Sequence, residues 1–119
     1  MIDPTPAQIA SLDPQIRPRA IQLINALRSV GVPAIITTLG GRRTPAEQLQ
    51  LLADPRGVTA TSRSRHLTGM AFDLDVLGMP RDAVPSWWWP IIGKYAEEAL
   101  GLRWGGRWTK PYDPGHFEL

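Results

Sequence analysis

From Met70 to Val76 the chain alternates, with Met70, Phe72, Leu74 and Val76 on one side and Ala71, Asp73 and Asp75 on the other. A period of two marks a strand with one buried face, so Asp73 points away from the apolar side. Upstream the period changes. Ile16, Leu23, Leu27 and Val30 recur at helical intervals with Ala20 and Ile24 on the flanks, which predicts a helix over 14–30. Pro18 falls near its start, where it is tolerated, and Gly31 ends it. A shorter helix over 3–12 is expected before it, with Asp3 as cap and Pro4 in the first turn. Pro33 to Leu39 is rich in β-branched residues and reads as a strand. Thr44-Pro45-Ala46-Glu47 spells a capping box, with Pro at the first helical position. Glu47 is therefore read as a backbone partner rather than a catalytic group. That helix should reach Ala53, burying Leu49, Leu52 and Ala53, and close in a turn at Asp54-Pro55-Arg56-Gly57. Val58 to Ser62 reads as a loop or short strand.

Gly78, Pro80 and Pro85 make a loop of Leu77 to Pro85. Ser86 is placed to cap a helix over 87–100 that carries Trp87, Trp88 and Trp89 and ends at Gly101. Pro90 in its first turn suggests an irregular start. Three adjacent Trp side chains cannot all face one core, so at least one is expected to be exposed or to line a groove, the rest packing inside. Leu102 to Trp104 and His116 to Leu119 read as two further strands, joined by a Gly- and Pro-rich loop suited to a cleft wall. Strands and helices in this mixture predict an α+β fold: a small antiparallel sheet with helices packed on one side.

At 119 residues the chain is expected to form one domain, 1–119, with little room for a second module. It contains no cysteine, which excludes a disulfide framework and a thiolate metal site. Met1 to Pro6 has no basic region followed by an apolar stretch, and no apolar run approaches the ~20 residues of a membrane span. The expectation is synthesis in the cytoplasm without a signal peptide, and no membrane insertion. The net charge is +2 and the pI about 9.5. Arg56, Arg63, Arg65, Arg103, Arg107 and Lys110 stand near the stretches singled out below. Each alone is ordinary solvated surface. Together they suit a polyanion, but no nucleic-acid recognition motif is present and no nucleic-acid partner is expected.

The only two histidines are His66, just before the alternating strand, and His116, near the C-terminus. Gly69 between His66 and the strand lets the chain turn back, so that the imidazole can meet Asp73. His66, Asp73 and His116 supply two neutral nitrogens and one carboxylate, leaving a fourth position to water, a first shell typical of catalytic Zn²⁺. Such a set suits zinc better than the oxygen shells of calcium or magnesium. The bland alternative is two hydrogen-bonded histidines and a structural carboxylate.

Ser64-x-His66-x-x-Gly69-x-Ala71-x-Asp73, followed by Asp113-x-x-His116, resembles the signature of a family of zinc peptidases. These are the D-alanyl-D-alanine carboxypeptidases and dipeptidases and the L-alanyl-D-glutamate endopeptidases of phage endolysins. The segment Gly41 to Gln48 looks like the family's arginine-bearing stretch, and Trp104-Gly105-Gly106-Arg107-Trp108 is similar to its Trp-Gly-Gly-x-Trp run. Four motifs in order carry far more weight than one.

The resemblance implies a role for each matched residue. Asp113 would be the catalytic acid/base, although Asp113-Pro114-Gly115 is also good turn chemistry. Asp75 and Glu118 are rivals that do not match the family position. Arg43 would stabilise the oxyanion, with Arg42 as the neighbour most easily confused with it. Ser64 would hydrogen-bond substrate, and Trp104 and Trp108 would frame the site, packing behind the ligands or contacting the peptide. The implied activity is cleavage of the peptidoglycan stem peptide. Asp at 113 and the absent leader favour a monomeric phage endolysin of the L-alanyl-D-glutamate type, released to the wall with the help of a holin. The alternatives are a cytoplasmic D-alanyl-D-alanine dipeptidase or carboxypeptidase, and a non-catalytic wall-binding or virion domain of the same fold.

Overall fold

The computed structural model describes residues 3–55, 64–109 and 111–119. The turn and loop expected over 56–62 lie outside these residues, as do Arg56, Arg63 and Lys110 of the basic set. The helices are α1 (Thr5–Ser11), α2 (Arg17–Ser29), α3 (Pro45–Ala53) and α4 (Trp88–Leu100). The strands are β1 (Ala34–Ile35), β2 (Ala71–Asp73), β3 (Asp75–Val76), β4 (Arg103–Trp104) and β5 (His116–Glu118). They form two small antiparallel sheets, β1-β3 and β2-β5-β4. The fold is α+β, as the patterning predicts.

The alternating stretch does not form one continuous strand. At Leu74 it leaves β5, and Asp75 and Val76 pair with Ile35 and Ala34 instead. Leu74 spans the break by donating its backbone N–H to Gly115 O at 2.7 Å. The buried face nevertheless runs through, since Phe72, Leu74 and Val76 are all buried. The strand expected over 33–39 is only two residues long: Leu39 takes a left-handed φ of 67°, and Gly40 N donates to Thr37 O in a turn.

α2 contributes Ala20, Leu23, Ile24 and Leu27 to the core, with Ile16 in the turn before it. Val30, expected to join them, is the C-cap of the helix and is 75% exposed. Thr44 caps α3 as predicted: its hydroxyl accepts from Glu47 N at 3.1 Å, and Glu47 accepts from Thr44 N at 2.8 Å. The inward residue of α3 is Gln48 rather than Leu49 or Leu52, which are exposed along with Ala53. The helix turns its polar face inward because Gln48 accepts a hydrogen bond from buried Arg43. α4 starts one residue after Trp87, with no side-chain cap from Ser86. Trp89 is buried, Trp88 half-buried and Trp87 exposed. No helix among the described residues is long and apolar enough to cross a membrane.

Candidate metal centre

Three elements meet at the centre. His66 sits in a 3-10 turn, Arg65–Thr68, closed by Gly69 at φ 74°. A side chain at Gly69 would be strained at that φ, and its Cβ would lie 2.8 Å from Asp13 N. Asp73 ends β2, and His116 opens β5 directly opposite it. The pairs Asp73–His116 and Ala71–Glu118 share one face of the sheet, while Phe72 and Phe117 stack on the other with centroids 5.6 Å apart. The period-two pattern thus places the ligands on the reverse of an aromatic core pair.

Asp73 Oδ1 lies 3.3 Å from His66 Nε2 and 3.0 Å from His116 Nδ1. One ligand atom from each residue lies within 4.8 Å of the other two, and His66 and His116 are buried. The remaining ring nitrogens are engaged by oxygens outside this triangle. His66 Nδ1 is 2.8 Å from Gly41 O, and His116 Nε2 is 2.8 Å from Glu118 Oε1. Neither oxygen can donate, so each takes a ring N–H, which leaves His66 Nε2 and His116 Nδ1 as the nitrogens facing Asp73. Two imidazole nitrogens and one carboxylate oxygen converging in this way fit a tetrahedral zinc ion.

Charge is balanced around the triangle. Burial alone would raise the Asp73 carboxyl, but His66 and His116 hold it well below the ordinary range. Burial opposes charge on His116, yet its hydrogen bonds to Asp73 and Glu118 prevail and raise it to about 9 in the metal-free chain. Glu118 is lowered: burial acts against its charge, and His116, Arg103 and Arg65 outweigh it. Asp113 moves the other way, raised first by burial and then by the negative charge of Asp73, with Arg81 working against both.

Asp73, Asp113, Arg43, Asp75 and Arg81 line a cleft of about 550 Å³, with Thr37 to Gly40 and Leu51 completing its wall. Arg43 is buried, and its guanidinium donates to Leu39 O (2.6 Å), Gln48 Oε1 (3.1 Å) and Asp73 Oδ2 (2.7 Å). Arg42 is exposed. Ser64 is half-buried and caps the 3-10 turn, its Oγ accepting from His66 N at 3.1 Å. Trp108 stands against the His116 ring, centroids 4.9 Å apart. Trp104 is a core residue that donates from Nε1 to Pro114 O at 2.8 Å. Its placement is behind the ligands, bracing the Asp113-Pro114-Gly115 turn.

Asp75 is tied to Arg81 at 2.9 Å and accepts from Thr37, while Glu118 is tied to His116. Glu118 is therefore turned to His116 and lies outside the cleft, whereas Asp75 lines it together with Asp113. Arg81 itself was not anticipated. It bridges Asp75 and Asp113, reaching the latter at 3.0 Å. It lies in an aperiodic loop between Pro80 and Pro85, and no pattern in the sequence marks it.

A sheet-borne His-Asp-His centre beside a carboxylate, Asp113, that is no part of the ligand set and lines an open cleft defines a metal-dependent hydrolase. The sequence profile described as D-alanyl-D-alanine carboxypeptidase matches residues 58–119. Among solved structures, the chain is similar to the L-Ala D-Glu endopeptidase ChiX of Serratia marcescens, at 32% identity over 97% of this chain and 85% of that one, with a TM-score of 0.64. It shares its fold with the vancomycin resistance D,D-pentapeptidase VanY of a VanB-type cassette, crystallised as an E175A mutant with Zn(II), at 18% identity over 91% and 72% of the two chains and a TM-score of 0.59. VanYB in complex with D-alanine-D-alanine is alike at 20% identity over 91% and 71%, TM-score 0.59. No curated protein matches the sequence. The chain belongs to the M15 peptidase family and is a metallopeptidase.

Proposed function

We propose that this protein is a zinc peptidase that cleaves the L-alanyl-D-glutamate bond of the peptidoglycan stem peptide. The observation that carries this reading is Asp113, half-buried with a raised carboxyl and sharing one cleft with Asp73 and Arg43. The choice of bond is supported by the 32% identity to an L-Ala D-Glu endopeptidase along almost the whole chain.

His66, Asp73 and His116 would hold the zinc, which when bound supplies Lewis acidity and lowers the pKa of water towards ~7. Asp113 accepts the proton of the attacking water at its carboxylate and returns it to the leaving amine. A carboxyl raised by burial is suited to both halves of that exchange, since it is a stronger base than an exposed one and a usable acid afterwards. Arg43, immobilised by its hydrogen bonds, places a fixed positive charge on the cleft wall, where negative charge develops on the scissile carbonyl oxygen. Ser64 retains its hydroxyl proton for a substrate carbonyl, since towards His66 N it only accepts. Trp108 forms a wall beside His116 against which a peptide can lie.

The role that follows is that of a phage-type endolysin, made in the cytoplasm and acting on the wall after release. A second reading, a D-alanyl-D-alanine carboxypeptidase, is favoured by the description of the matching family profile. The deciding experiment is digestion of purified peptidoglycan by the zinc-loaded protein, followed by mass analysis of the fragments. New N-terminal D-glutamate is the expected result. Release of D-alanine alone would establish the second reading, and no cleavage by a protein that binds zinc stoichiometrically would overturn both.

A further inference from the structure

Glu118 lies two residues beyond His116 on β5, so both side chains leave the same face of the sheet. Its cross-strand partner on β2 is Ala71, whose single methyl group leaves space for a longer neighbour, and its partner on β4 is Arg103. The carboxylate is buried, and its two oxygens face different ways. Oε1 meets His116 Nε2 at 2.8 Å, while Oε2 meets Arg103 Nη2 at 3.0 Å and Arg65 Nε at 3.5 Å. Arg65 and Arg103 also donate to the backbone carbonyl of Leu119, which ties the residue after Glu118 to the same two cations.

A free histidine exchanges its proton between two nitrogens, and as a ligand it must present a bare one. The carboxylate of Glu118 can only accept, so it holds a proton on Nε2, and the nitrogen left to bind a metal is Nδ1, on the Asp73 side. His66 is constrained in the opposite sense by the Gly41 carbonyl. His116 has no backbone oxygen of that kind, and Glu118 takes its place.

We propose that Glu118 is a positioning residue of the metal centre, committing His116 to coordinate through Nδ1 while Arg103 and Arg65 hold its carboxylate in place. The inference rests on the zinc reading above. A carboxylate behind a ligating histidine also raises the donor strength of the ring, and partners of this kind are typically worth about 10- to 100-fold in metal affinity.

The test compares wild type, Glu118→Ala, Glu118→Gln and, as a control on the exposed face of α4, Glu98→Gln. Each is titrated with Zn²⁺ against a chromophoric chelator, and the zinc-loaded proteins are examined by proton NMR for the His116 Nε2–H. A wild type that takes up no zinc would sink the zinc reading itself, separately from this one. Given zinc binding, we expect Glu118→Ala to lose about 10- to 100-fold in affinity and to lose the exchange-protected Nε2–H signal. Glu118→Gln, which keeps an oxygen acceptor without the charge, should lose less affinity and shift that signal upfield. Glu98→Gln should match wild type. Equal affinity and an unmoved signal in Glu118→Ala would overturn the proposal. Should that variant fail to fold, the same two null results in Glu118→Gln would overturn it.

Discussion

Asp113 and Arg81 show how closely a single charge is set in this site. The Asp113 carboxyl is raised by burial and by Asp73, and Arg81 at 3.0 Å restrains the rise. Removing the cation in Arg81→Met takes away an influence that favours the carboxylate, so the carboxyl must rise further. A base with a raised pKa is neutralised at higher pH, and the acidic limb of the kcat/KM profile should move to higher pH. An unmoved limb would show that another group sets it. In Asp113→Asn no proton can be accepted, and kcat should fall by about 10²- to 10⁴-fold with zinc content unchanged, as measured by elemental analysis of the purified variant. Both residues stand apart from the ligand triangle, so neither change removes a ligand.

At the scale of elements, α4 and the β4 region meet through Trp104, whose ring fills the space against Gly93 on the helix. A Cβ at Gly93 would lie 2.2 Å from the Trp104 ring, and the ring in turn donates to Pro114 O. Gly93→Ala should therefore destabilise the fold by about 1–3 kcal/mol, read as a lower midpoint in urea. Because Trp104 braces the turn that presents Asp113, activity per folded molecule should fall as well. The break at Leu74 works at the same scale. It hands one stretch of chain from one sheet to the other, so that Asp73 pairs with His116 while Asp75 reaches Arg81 and both line one cleft.

Across the whole molecule, the centre gathers residues 66, 73 and 116 from three elements onto the side of the sheet opposite Phe72 and Phe117. The core behind it, from Leu12 and Ile16 through Leu23, Leu74 and Ile92, does not involve the ligands. Asp73 is paired with Arg43 at 2.7 Å, an ion pair that needs no metal. Chelation should then leave the far-UV circular dichroism unchanged but lower the melting temperature. Free zinc at 100 times its Kd stabilises the folded state by about 2.7 kcal/mol, enough to separate the two melting curves by several degrees. Collapse of the circular dichroism signal on chelation would show that the metal, not the core, holds the fold.

Local chemistry written along the chain is legible wherever one element suffices to express it. The capping box at Thr44 and Glu47, the helical stripe from Ile16 to Leu27, the alternation of Phe72, Leu74 and Val76, and the turn at Gly69 all depend on neighbours within a few residues. The histidines and Asp73 were legible for a different reason: they are rare residue types in a spaced pattern, and zinc chemistry demands those types. Tertiary structure alone decided which side of α3 faces inward, because Gln48 is drawn in by Arg43 rather than by any apolar period. It likewise decided that the central strand divides at Leu74 and that Arg81 reaches Asp113. Each of these depends on a partner distant in sequence or on how strands pair, and an ion pair or a cross-strand neighbour leaves no periodicity in the residues on either side of it.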